Sequence, residues 1–182
     1  MKKITLFVGS PRKNGNTSIL AQALEEKIDK TRFSVEICYL YDYDIKPCVD
    51  CRACKKNDLV CILKDQMSQI YTKLEESQII IIGTPIYWFG PTAQTKLMVD
   101  RFRPYFVNKK LSGKRGALIL PAGSGEGDCD LTIEMFNRTF EALGIQQLGA
   151  VTAKAFDIGD VKNDTTAFEG LQELADQIHL AQ

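Results

Sequence analysis

Apolar and polar positions along the chain alternate between two rhythms. Ile4-Thr5-Leu6-Phe7-Val8 is a short, nearly continuous apolar run closed by Gly9 and Pro11, as a strand buried on both faces would be. Ile19, Leu20, Ala23, Leu24 and Ile28 then recur at helical spacing, with Asn16 or Thr17 placed to cap the helix. Val35, Ile37, Tyr39 and Tyr41 alternate, which predicts a strand over 34–40. Met67, Ile70, Tyr71 and Leu74 predict a helix ahead of a third strand, 78–82, whose run of isoleucines suits the centre of a sheet. Pro91 opens the next predicted helix, which carries Leu97, Met98 and Phe102. A fourth strand over 116–120 ends at Pro121-Ala122-Gly123, and a helix over 130–143 stops at Gly144. A fifth strand near 147–155 and a helix over 165–180 complete the alternation.

Strands that alternate with helices predict an α/β fold: a doubly wound, five-stranded parallel sheet with helices on both faces. Right-handed crossovers favour the strand order 2-1-3-4-5. Residues 1–182 read as a single domain with a cysteine-rich insertion at about 42–63. Ligands of such sheets bind beyond the C-terminal ends of the strands, near the point where strand order reverses. The loops after strands one, three and four are therefore the ones to examine.

Charge narrows the field. Lys+Arg and Asp+Glu each number 23, so no basic excess calls for nucleic acid or an anionic membrane surface. No apolar run approaches the ~20 residues of a membrane span, and the start of the chain does not read as a signal peptide. The expectation is a cytoplasmic protein whose thiols are reduced, where clustered cysteines point to metal binding or redox chemistry.

The first loop, G-S-P-R-K-N-G-N-T-S over Gly9 to Ser18, combines small residues with donors. Ser10, Asn16, Thr17 and Ser18 supply polar side chains, Arg12 and Lys13 supply charge, and the helix that follows adds its N-terminus. Such a loop suits a terminal phosphate. It is neither a Walker loop nor a G-x-G-x-x-G dinucleotide fingerprint. The loop after strand three, Gly83-Thr84-Pro85-Ile86-Tyr87-Trp88-Phe89-Gly90-Pro91, holds three consecutive aromatics that cannot all face one core. They suit a flat ring system or an interface between subunits. The loop after strand four, Ala122-Gly123-Ser124-Gly125-Glu126-Gly127-Asp128, permits close backbone approach. A phosphate cradle, an aromatic platform and a glycine-rich wall together suit flavin mononucleotide.

These motifs, in this order, resemble the flavodoxin-like family of NAD(P)H-dependent FMN reductases, over Lys3 to about Leu180. The resemblance implies that Ser10, Arg12, Asn16, Thr17 and Ser18 hold the phosphate. It places the isoalloxazine against Pro85, Ile86, Tyr87, Trp88, Phe89 and Gly90, and against Ala122, Gly123, Ser124 and Gly125. It also implies NAD(P)H as co-substrate, stacked directly on the flavin, and a homodimer or homotetramer.

Four cysteines, Cys48, Cys51, Cys54 and Cys61, form C-x2-C-x2-C-x6-C in a solvated segment, with Asp58 to Val60 giving the fourth the reach to close a site. A continuous run of this kind suits a cubane iron–sulfur cluster. A four-thiolate zinc site, a redox disulfide pair and a loop without metal are the other readings. Followed by Lys64-Asp65-Gln66-Met67, the motif is similar to that of the iron–sulfur flavoproteins, which implies a 4Fe-4S cluster on these four thiols. Cys38 reads as a buried hydrophobe in the second strand, and Cys129 as structural. His179 is the only histidine and lies far from every candidate loop, which excludes a Ser-His-Asp or Cys-His hydrolase. The chemistry falls to a cofactor. The expected function is an FMN- and cluster-dependent redox protein moving electrons between a donor, ferredoxin-like or NAD(P)H, and an acceptor. A cluster-free FMN or quinone reductase is the alternative, and a flavin- or zinc-binding module without turnover is a third.

Overall fold

The computed structural model describes residues 1–56 and 60–180. In chain order it comprises β1 (Lys2–Val8), α1 (Asn16–Lys27), β2 (Phe33–Tyr39), α2 (Met67–Glu76), β3 (Ile79–Gly83), β4 (Ile86–Tyr87) and β5 (Gly90–Pro91). Then follow α3 (Ala93–Asp100), α4 (Arg103–Asn108), β6 (Arg115–Ala122), α5 (Asp130–Leu143), β7 (Gln146–Lys154) and α6 (Thr165–Leu180). The main sheet runs β2-β1-β3-β6-β7, parallel throughout, and β4 and β5 form a separate antiparallel hairpin. Counting main-sheet strands alone, this is the expected order, and the architecture is flavodoxin-like.

β3 shows why the sheet stands at the middle of the molecule. Its side chains alternate between faces, so Ile79 and Ile81 pack with Leu20, Leu24 and Leu171 from α1 and α6. Ile80 and Ile82 pack on the other side with Ile70, Met98 and Phe136 from α2, α3 and α5. All four isoleucines are buried, which removes apolar surface from water on both faces at once.

Three local expectations are corrected. α1 begins at Asn16 itself, its N-cap is Gly15, and no side chain caps it. Pro91 belongs to the hairpin, and α3 begins two residues later, with Thr92 Oγ1 accepting the Thr95 amide. Phe102 lies beyond the end of α3. A continuous helix would bring the Pro104 ring against the carbonyl of Asp100, so the chain breaks and restarts with Pro104 in the first turn of α4. The hairpin turn was not expected either: Trp88 and Phe89 both adopt left-handed backbone conformations, φ 51° and 62°, where glycine or asparagine is usual.

Gly9, at the exit of β1, is fixed by its neighbours. A Cβ there would lie 1.8 Å from Thr95 Oγ1, while Thr92 Oγ1 donates to the Gly9 carbonyl at 2.6 Å. Thr92 and Thr95 are both buried and have nowhere to retreat. Gly9→Ala should therefore destabilise the protein by about 3 kcal/mol through overpacking. A urea titration showing an unchanged midpoint would refute this.

Candidate functional site

The C-terminal edge of the sheet opens into a cleft of about 430 Å³, within the range of small-molecule sites. One end is built by the β1–α1 loop. There the Arg12 carbonyl accepts the Gly15 amide at 3.0 Å and the Ser18 hydroxyl at 3.2 Å, and Ser10 Oγ accepts the Arg12 amide at 3.2 Å. The loop is thus curled around Arg12, with Ser10, Arg12, Gly15, Asn16 and Thr17 facing the cleft. Because α1 lacks a side-chain cap, the first-turn amides at this end remain available to an anion. Ser18 is fully buried, its hydroxyl spent on the loop. Lys13 turns away, paired with Asp42 at 2.7 Å and lying over the Tyr39 ring.

Asn16 faces the cleft, but its amide works across it. Nδ2 donates to the Asp157 carbonyl at 2.8 Å and Oδ1 accepts the Gly159 amide at 2.8 Å. The loop after β7 is thereby drawn in as a further wall, with Ala155, Phe156 and Ile158 lining the cleft. Sequence reasoning missed this wall by stopping at the fourth main-sheet strand. The available signal was the pair of large apolar residues in a turn at the ligand edge. Gly15 and Asp128, within the loops already singled out, and Pro121 line the cleft too, although none was picked as a binding residue; Asp128 Oδ2 accepts the Ser124 amide at 3.3 Å.

Pro85, Ile86 and Tyr87 form the wall after β3, and Ala122, Gly123 and Ser124 the wall after β6. Trp88, Phe89, Gly90 and Gly125 do not line the cleft. Trp88 is 95% exposed at the hairpin tip, and Phe89, half exposed, accepts the Thr132 hydroxyl on its carbonyl. Cys129 is buried behind the β6 wall, its thiol 3.5 Å from the Leu120 carbonyl and pushed up to about 11 by burial. Cys38 is likewise buried and raised to about 11. His179 accepts the Asp29 amide at 3.0 Å, away from the cleft.

The cysteine segment leaves the fold after β2 and returns at α2 through a narrow neck. Gln66 Oε1 accepts the Asp44 amide at 2.6 Å, and the Gln66 amide donates to the Asp44 carbonyl at 3.0 Å. Beside this, Arg101 Nη1 donates to Asp65 Oδ2 at 2.7 Å and to the Lys46 carbonyl at 2.8 Å, and the Lys46 amide returns to Asp65 Oδ2. The Arg101 and Asp65 side chains are 1% and 0% exposed. Burial opposes the Asp65 charge, yet the Arg101 and backbone donors outweigh it and hold the carboxyl below its ordinary range.

Within the segment Cys54 is buried on a one-turn 3-10 stretch, Cys48 and Cys61 are half-buried and Cys51 is exposed. Burial pushes the Cys54 thiol up, with Cys61 and Cys48 acting in the same direction and Arg103 against them. Arg103 also pairs with Asp50 and stands beside Cys48, while the Tyr71 hydroxyl donates to the Arg101 carbonyl at 2.7 Å on the Cys61 side. Arg101 Nε is buried and, among the described residues, has no hydrogen-bond partner. Three of the four thiols therefore share an arginine-flanked neighbourhood. Among the described residues, no three Cys, His, Asp or Glu groups converge as metal ligands. The expected reach from Asp58 to Val60 lies partly outside the described residues.

A sequence profile described as NADPH-dependent FMN reductase matches residues 2–157. The chain is 29% identical over 184 residues to an iron–sulfur flavoprotein of Methanocaldococcus jannaschii, covering 97% of this chain and 95% of that protein. It is 31% identical over 158 residues to an iron–sulfur flavoprotein of Archaeoglobus fulgidus, covering 87% and 71% respectively. Among solved structures, the Trp repressor binding protein of Bacillus subtilis superposes with a TM-score of 0.71 at 24% identity, covering 94% of this chain and 96% of that one. The chain belongs to the NADPH-dependent FMN reductase family, in the branch of the proteins named iron–sulfur flavoproteins, and is a flavin-dependent oxidoreductase.

Proposed function

We propose that the cleft binds FMN and that Cys48, Cys51, Cys54 and Cys61 hold a 4Fe-4S cluster, so that the protein passes electrons between a donor and an acceptor. The observation that carries the flavin part is the uncapped N-terminus of α1 set beside Arg12, Ser10 and Thr17 at one end of a cleft whose other end is apolar. That donor set matches a phosphate dianion, and the cleft is the right size for the rest of the nucleotide. For the cluster the donor chemistry fits. Four thiols lie in one segment, Arg103 stands beside Cys48 and Cys54, and one buried guanidinium N–H of Arg101 is left over for an acceptor. When bound, FMN supplies one- and two-electron transfer and the cluster one-electron transfer.

The chain's own contribution is to position these groups. Arg12 and the α1 amides fix the phosphate, the Pro85–Tyr87 and Ala122–Ser124 walls confine the ring system, and the Arg101–Asp65 neck holds the cysteine segment. NAD(P)H or a ferredoxin-like protein is the donor in this reading, and the molecule is a cytoplasmic homodimer or homotetramer. Among the described residues no helix is long and apolar enough to cross a membrane. That no three metal-ligating groups converge among the described residues favours one second reading, a cluster-free FMN or quinone reductase.

The flavin reading is tested by ligand discrimination. Wild-type protein should bind FMN well over tenfold more tightly than riboflavin, because charge-assisted hydrogen bonds to the phosphate contribute about 1.5–3 kcal/mol. Arg12→Ala with Thr17→Ala should remove most of that preference and leave riboflavin affinity nearly unchanged. Equal losses for both ligands in a fluorescence titration would move the phosphate site elsewhere.

A further inference from the structure

We infer that Phe156, on the loop between β7 and α6, is a stacking wall for the isoalloxazine ring, and that Asn16 locks this wall to the phosphate end of the cleft. The inference rests on the flavin reading above.

Phe156 is 83% exposed, so it is not a core residue, yet its ring lines the cleft. The backbone beneath it is held from several sides. The Ala155 amide donates to the Ala122 carbonyl at 2.8 Å, and Asp160 Oδ2 accepts the amides of Phe156 and Asp157 at 3.1 and 2.7 Å. Both ends of the Asn16 amide are committed to Asp157 and Gly159. A large aromatic on a fixed backbone at the rim of a cleft loses little freedom when a flat ring covers it. The opposing β6 wall is shaped to it. A Cβ on Gly123 would lie 3.0 Å from Phe156 Cδ2, so any larger residue there presses on the phenyl ring. Tyr87, half exposed, lines the cleft from the β3 side. The cleft therefore has an aromatic edge on two loops, and the ring end of a flavin is the part of FMN that matches them.

Full-length protein freed of flavin, titrated with FMN and with riboflavin, provides the test. Phe156→Ala should weaken both ligands by about tenfold, since the lost contact is to the shared ring system. Phe156→Tyr should keep wild-type affinity, and Gly123→Ala, which displaces the phenyl ring without removing it, should fall between. Asn16→Ala should weaken both ligands alike, by about threefold, as the loop loosens. Failure of the wild type to bind FMN would overturn the flavin reading itself. Normal wild-type binding with no change in Phe156→Ala, or a loss confined to FMN in either Phe156→Ala or Asn16→Ala, would overturn this inference alone.

Discussion

Removing any one of Cys48, Cys51, Cys54 or Cys61 should strip the protein of iron while leaving FMN stoichiometric. A cubane held by four thiolates has one iron corner per ligand, so each replacement by serine leaves a corner without its soft donor. Anaerobically prepared wild type should contain about four iron and four sulfide per chain. Cys38→Ser and Cys129→Ser should retain them, because both thiols are buried away from the segment. The measurement is iron and sulfide analysis after anaerobic reconstitution, with flavin quantified in the same sample. Full flavin with no iron in the wild type would establish the cluster-free reductase instead.

The second large effect belongs to the neck. Asp65→Ala should cost about 3–5 kcal/mol, because it leaves the Arg101 charge buried and unpaired. Joining Asp65→Ala to Arg101→Met should recover a good part of that loss, since the isolated charge is then gone. The pH dependence has a fixed sign. Asp65 in the folded protein lies below its ordinary value, near 4, so its contribution is fully present above that pH. It declines as pH falls through the folded value, where the unfolded chain binds the proton first. Urea midpoints of wild type and Asp65→Ala should accordingly converge as the solution is acidified below about pH 4. Parallel curves down to pH 2 would show that the pair is not the source.

What the sequence discloses follows from how local each feature is. Ile79 to Ile82 could be read as central because apolar character on both faces leaves no other place for a strand. Gly144, in a left-handed conformation at the end of α5, announced its stop in the same local way. The hairpin tip could not be read, since Trp88 and Phe89 occupy conformations that aromatic side chains rarely announce. The polar character of Asn16 marked it at the ligand edge, but its partners Asp157 and Gly159 lie at the far end of the chain. Phe156 escaped because its one local mark, a pair with Ile158 of large apolar residues in a turn, identifies a cleft wall only once Asn16 draws that turn in. The Arg101–Asp65 pair was equally hidden. Charged residues are common on surfaces, and only the folded neck shows these two to be enclosed.

That neck separates two parts of the chain. A peptide excursion that departs and returns at one neck, and otherwise rests on α4 through Arg103 and Asp50, can change in length with little disturbance of the strand order beneath it, since loop closure costs grow only slowly with length. The parallel sheet and its cleft answer to the packing of β3 and α1, whereas the cysteines answer to a separate fastening at Lys46, Asp65 and Arg101. Changes within the cysteine segment can therefore alter what that segment binds while the packing of the sheet and its cleft stays as it is.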